Sequence, residues 1–236
     1  LDVFGNTRTL FEAATKTEEA SLMAFYRLVI ASVLLLVSFC HGQEKVESIL
    51  GVLNRAHVSG SIAYWSLGGC ASLNHPPLPK IRPTNYSGSP LEALQEMFAE
   101  DPKMRVTQEP GGMVRMFETD APTDLLHVKI HRVSFPRELF HGPNIALWTI
   151  MRTPEVQAFA EAHNIGPLYS NRVPGNPDSL RPQIHGELED VTVSQALDYV
   201  LRTFPGYWIY GNCTNEGGGR EVFFWFVEND PWKPLP

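Results

Sequence analysis

The residues of this chain with the strongest claim to chemistry are its histidines, its cysteines and a run of aromatic strand positions. His127 and His131 stand four apart, a spacing that on a helix would let two imidazoles share one zinc ion. The segment Leu126-His127-Val128-Lys129-Ile130-His131 alternates apolar with polar residues, however, and so predicts a half-buried strand over 126–131. Four residues of strand put the two rings about 13 Å apart, too far to share an ion. His57, His75, His141, His163 and His185 each stand alone. The chain holds no His-Glu-x-x-His helix, Cys-x-x-Cys pair, Gly-x-Ser-x-Gly elbow or phosphate-binding glycine loop. Gly217-Gly218-Gly219 falls between two strand-like runs, where a hairpin turn is the expected use. No residue is assigned a catalytic, metal or cofactor role.

Binding chemistry is easier to locate. Tyr207-Trp208-Ile209-Tyr210 and Phe223-Phe224-Trp225-Phe226 put large rings on both faces of two strands. One face is expected to pack on the helix that begins after Thr192. The other must be covered, either by the rest of the chain or by a partner segment added to the sheet. Trp208, Tyr210, Phe223 and Trp225 are therefore the candidate partner-binding residues, and a glycan stacked on Trp208 or Trp225 is a weaker alternative.

The elements that position these residues come twice. Ser89-Pro90-Leu91-Glu92-Ala93-Leu94 returns as Thr192-Val193-Ser194-Gln195-Ala196-Leu197, a shift of 103 residues. Both stretches are capping boxes, with a hydroxyl at the cap and Glu92 or Gln195 three residues on. Apolar residues follow at helical spacing: Leu94, Met97 and Phe98, then Leu197, Val200 and Leu201. Pro102 and Pro205 stop the two helices. The same shift of 103 carries Met104-Arg105-Val106 onto Tyr207-Trp208-Ile209 without a gap. Strands are predicted at 104–108 and 207–212, then, after glycine turns, at 113–118 and 221–227. The fold class expected is α+β, two β-α-β-β half-modules with a helical insert between them, their leading strands near Pro79-Lys80-Ile81 and Pro182-Gln183-Ile184. Helices are predicted on the face Val46, Ile49, Leu50 and Leu53, near 144–151, and over 154–163, the last capped by Thr153 and ended by Gly166.

The segment Ile184-His185-Gly186-Glu187-Leu188-Glu189-Asp190-Val191-Thr192-Val193-Ser194-Gln195-Ala196-Leu197-Asp198-Tyr199-Val200-Leu201 resembles the short N-terminal module of secretins and TonB-dependent receptors. The match covers residues 182–227, with a weaker echo over 79–118. The resemblance implies a periplasmic α+β module of paired β-α-β units that makes protein–protein contacts, for instance in passing a signal to an inner-membrane regulator. The 236 residues carry no barrel or channel pattern, so it implies fold and compartment rather than receptor or channel function.

The N-terminal region agrees with that compartment. Met23-Ala-Phe-Tyr-Arg27 leads into the apolar run 28–39 and then Cys40-His41-Gly42, the layout of a signal peptide cut before Gln43. The run is shorter than the roughly 20 residues of a membrane span, so no stable span is expected after cleavage. The organisation expected is a non-native extension over 1–22, a signal peptide over 23–42, a first half with leading helix and insert over 43–165, a Pro/Gly-rich linker over 166–182, and a second half over 183–236. Cleavage removes three of 19 basic and four of 26 acidic residues, leaving a net charge of −6. That balance, without a Lys/Arg cluster, argues against nucleic acid. It also removes Cys40, leaving Cys70 and Cys213 in an oxidising compartment. Cys70 follows a strand predicted over 62–65 and Cys213 follows the one over 207–212, which makes them a disulfide candidate; two unpaired thiols are the alternative. The function expected is a periplasmic or secreted interaction or scaffold module with an envelope protein as partner, its alternatives a cell-envelope hydrolase or a glycan-binding protein.

Overall fold

A six-stranded mixed sheet, ordered β2-β3-β1-β7-β8-β5, forms the centre of the fold. The computed structural model describes residues 49–65, 79, 81–82, 88–135, 142–166, 169–170, 183–214 and 217–228, all within the compact unit Glu44–Pro236. The chain runs from a helical stretch over 49–55 (α1) into β1 (Gly60–Trp65), α2 (Pro90–Met97), β2 (Met104–Gln108) and β3 (Val114–Glu118). A 3-10 turn (Asp124–His127), β4 (Lys129–Phe135), α3 (Pro143–Met151), α4 (Pro154–Ala162) and β5 (Tyr169–Ser170) come next. The last elements are β6 (Gly186–Thr192), α5 (Val193–Thr203), β7 (Gly206–Thr214) and β8 (Arg220–Glu228). The protein is α+β, with β4 and β6 forming a separate antiparallel ribbon.

The two capping boxes close as the sequence predicts. Ser89 accepts from the Glu92 backbone N–H, Thr192 from that of Gln195, and each N3 side chain reaches back to its cap. Helices thus start at the same place in both copies. Ala93 and Ala196, at 2% and 0% exposure, face the sheet side of their helices.

The strands do not keep the helix register. Met104 and Val106 pack with α2, together with Met116 and Val114. In the second copy the residues that pack with α5 are Trp208, Tyr210, Phe224 and Val222. Tyr207 and Ile209, the partners expected from a shift of 103, lie instead in the α1/α2 cluster. The equivalence in space is therefore Met104 with Trp208, a shift of 104. One residue of slip moves a whole strand face to the other side; α2 and α5 lie on opposite faces of the sheet because β1 and β7 pair in parallel, which turns the second block over relative to the first. The longer α5 and the shorter stretch between it and β7 absorb that residue.

The leading strands also differ from expectation. Residues 79, 81 and 82 carry no strand, and β6, which follows Ile184, pairs with β4 outside the main sheet. The strand parallel to β3 is β1, with Ser61 beside Arg115 and Ile62 beside Met116. The strand parallel to β8 is β5, with Tyr169 beside Phe223 and Ser170 beside Phe224. Both pairs are related by the same shift of 108, so β5, inside the segment read as a linker, occupies in the second half the place of β1 in the first. The sheet is two three-strand blocks, β2-β3-β1 and β7-β8-β5, joined where β1 runs parallel to β7.

Smaller corrections follow from local geometry. The strand predicted over 126–131 begins only at Lys129, because Leu125 and Leu126 are both buried by the preceding 3-10 turn. His127 therefore lies on that turn and only His131 on a strand. Thr153 holds the N-cap position of α4 as expected, but its hydroxyl makes no capping bond and donates instead to the Ile150 carbonyl at 2.9 Å. The end of α4 is turned by Asn164 at φ 50°, not by Gly166, with Ile165 N–H donating to Ala160 O and Asn164 N–H to Glu161 O. The extension over 1–22, the signal peptide over 23–42, Cys70, the loop over 67–78, most of the linker and the tail over 231–236 lie outside the described residues.

Candidate interaction surface

The aromatic strands supply core rather than surface. Trp208, Tyr210 and Phe223 are buried, and Trp225 is half-buried. The face with Trp208 and Tyr210 is covered by α3 and α5, and the face with Phe223 packs with α1 and α2. Phe223 lies across Gly211, where a Cβ would fall 1.8 Å from its ring, and meets Tyr64 edge to face at 6.0 Å. Three of the four proposed partner-binding side chains thus bind other parts of this chain. Burial of Trp208 likewise closes it to glycan stacking.

Two guanidinium clusters explain how polar groups survive beside those rings. Arg115 on β3 donates to both carboxylate oxygens of Asp198 on α5, to Glu109 at 2.8 Å and to Ser61 Oγ at 3.2 Å. Trp208 Nε1 donates to the same Asp198 at 2.9 Å, and the guanidinium lies 5.8 Å from the indole centroid. Burial alone would lower the proton affinity of Arg115, but its bonds to Asp198 and Glu109 outweigh that and raise it above the ordinary value. The second cluster centres on Arg220, which donates to Asn212 Oδ1, Asp124, the Pro122 carbonyl and the Tyr210 hydroxyl. Tyr210 in turn donates to Pro122 O at 3.0 Å. The Arg220 hydrogen bond holds Asp124 below the usual carboxylate range, and burial pushes Tyr210 up. In both clusters donors and acceptors satisfy one another across elements far apart in sequence, which is the arrangement of a structural lock.

Asn212, first residue of an Asn-Cys-Thr sequon, is 0% exposed and donates to the Tyr64 carbonyl. A glycan has no room there; a second sequon, Asn85-Tyr86-Ser87, lies outside the described residues. Cys213 is fully buried and disulfide-bonded. His163 stacks on Phe159 at 3.9 Å, and His131 faces Asp190 at 3.4 Å on the exposed ribbon. Among the described residues no group of three or more His, Cys, Asp or Glu is placed to hold a metal, and no helix is long and apolar enough to cross a membrane.

Among the described residues two features are open to a partner. Trp148 on α3 is the large apolar side chain left exposed among the described residues, at 39%, and the Arg152 guanidinium stacks on it at 3.9 Å. Exposed Trp and Arg are the residue types most often found at the energetic centres of interfaces. The sequence hides this pair because α3, Pro-Asn-Ile-Ala-Leu-Trp-Thr-Ile-Met, is apolar on nearly every side, so its pattern does not tell the outward face. The second feature is the outer edge of β2, the first strand of the sheet. The β4–β6 ribbon, by contrast, is guarded: Glu155 accepts from the outward N–H of His131, and Asp190 at φ 52° breaks the line of β6.

Comparison with protein-family models, with curated proteins and with solved structures finds no match to this chain.

Proposed function

We propose that this chain is a protein-interaction or scaffold module of the cell envelope, of the kind implied by its resemblance to the short N-terminal module of secretins and TonB-dependent receptors. The observation that carries the reading is the doubled block: two capped helices, each followed by a hairpin flanked by a parallel strand, fused into one sheet. The polar clusters tie that sheet to its helices, and the Trp148–Arg152 stack stands outward from it. The disulfide at Cys213 supports an oxidising compartment.

The test is made in a Gram-negative cell expressing the chain from Met23. The expected product begins at Gln43, fractionates with the periplasm and forms a defined adduct with an envelope protein from a photo-crosslinker placed at Trp148. Soluble cytoplasmic protein that retains residues 23–42 refutes the compartment. A correctly exported protein that gives no adduct from α3 refutes the surface.

A further inference from the structure

We infer that copies of this chain associate head to tail through their sheets, the outer edge of β2 in one copy taking β5 of the next as a parallel strand. The template is inside the molecule. The blocks β2-β3-β1 and β7-β8-β5 are joined by pairing the leading strand of one, β1, to the first hairpin strand of the other, β7, in parallel over Gly60–Trp65. Among the described strands, that junction leaves one edge of each kind: β2, the counterpart of β7, and β5, the counterpart of β1. β5 runs parallel to β8 and hence antiparallel to β7 and β1, which is also the direction of β2. A β5 from a second copy therefore meets β2 in the same parallel sense that β1 meets β7.

The backbone of β2 is available for this. Lys103 and Glu109 bond Thr119 and Met113 across the hairpin, so the odd-numbered residues of β2 face β3 and Met104, Val106 and Gln108 face outward. Among the described residues the N–H groups of Val106 and Gln108 make no hydrogen bond. Among the described residues the outward carbonyls of Met104 and Val106 are held by side chains, Arg105 Nη1 at 3.0 Å and Gln95 Nε2 at 3.3 Å. These are long exposed side chains that an incoming strand can displace; until then they blunt the edge. Each junction inverts the block, so two junctions restore the starting orientation and α2 returns to the same face in the next copy. Such a contact is heterologous and builds a ring or an open filament, as sheet twist accumulates from copy to copy.

The inference deepens the interaction role by naming the partner as a second copy, and it rests on the doubled block of that reading. Compartment and α3 cross-linking decide the proposed function; solution mass decides this contact. Sedimentation velocity of the purified chain is expected to show reversible growth in mass with concentration. Gln108→Pro removes an outward N–H without breaking the β2–β3 ladder and should weaken association about tenfold. Gln95→Ala uncovers the Val106 carbonyl and should strengthen it by a similar factor. Should Gln108→Pro fail to fold, as circular dichroism would reveal, Gln95→Ala decides alone. A chain that stays monomeric to about 1 mM, or that associates indifferently to the variants that fold, overturns the proposal.

Discussion

Gly211 and Asp124 show how single residues carry this fold. Gly211 stands directly beside Phe223 in the β7–β8 ladder, and the Phe223 ring occupies the volume of its absent side chain. Gly211→Ala is therefore expected to displace the ring from its edge contact with Tyr64 and to destabilise the fold by about 1–3 kcal/mol. Urea denaturation measures this, and an unchanged midpoint would mean the ring lies elsewhere. Asp124 carries a pH dependence. Its carboxyl is held below its ordinary value by the hydrogen bond from Arg220. A group depressed in the folded state adds stability at pH above its unfolded value, near 4, and loses it as pH falls through the folded value. Asp124→Asn should lower stability at pH 7 and flatten its decline below about pH 4. Because the side chain is 40% exposed, solvent screens the pair and the effect is modest. Parallel acid-unfolding curves for the two proteins would contradict the Asp124–Arg220 link.

At the scale of elements, the helices are where sequence and structure agree best. A capping box is a local device, four residues that satisfy their own backbone, and both form as written. The faces of α2 and α5 are just as legible, since period 3.6 fixes which side is apolar. Ala93→Leu and Ala196→Leu should each overpack the contact beneath their helix and cost about 1–3 kcal/mol. Thermal melting compares them with the parent chain, and two unchanged melting temperatures would reject the helix faces. The four hairpin strands, β2, β3, β7 and β8, were legible as strands, but not in their partners, and β5 falls in the segment read as a linker. Strand pairing joins residues far apart: β1 lies beside β7 across about 147 residues of chain. Period 2 shows that a strand has two faces and is silent on which layer covers each. That is why the rings at 207–210 and 223–226 could be read as a binding surface. With helices on both sides of the sheet, both faces are core.

At the scale of the whole molecule, the disulfide at Cys213 ties the end of β7, beside the end of β1, to another part of the chain. Cys70 follows β1 by five residues, outside the described residues. We propose Cys70 as its partner, a bridge that closes a loop of about 140 residues and contributes at most about 4–5 kcal/mol by chain entropy. The mature protein, denatured without reductant, should show no free thiol; two free thiols per chain would exclude the bridge. By itself the sequence determined what neighbouring residues decide together: the caps, the helix faces, the hairpins and the α+β class. Only the tertiary structure decided the strand order, the slip from 103 to 104, the role of β5 as counterpart of β1 and the burial of the aromatic strands. A one-residue slip leaves composition and periodicity almost unchanged while it turns every side chain of a strand to the opposite face. Which face is then inside depends on the layers that arrive from the rest of the chain.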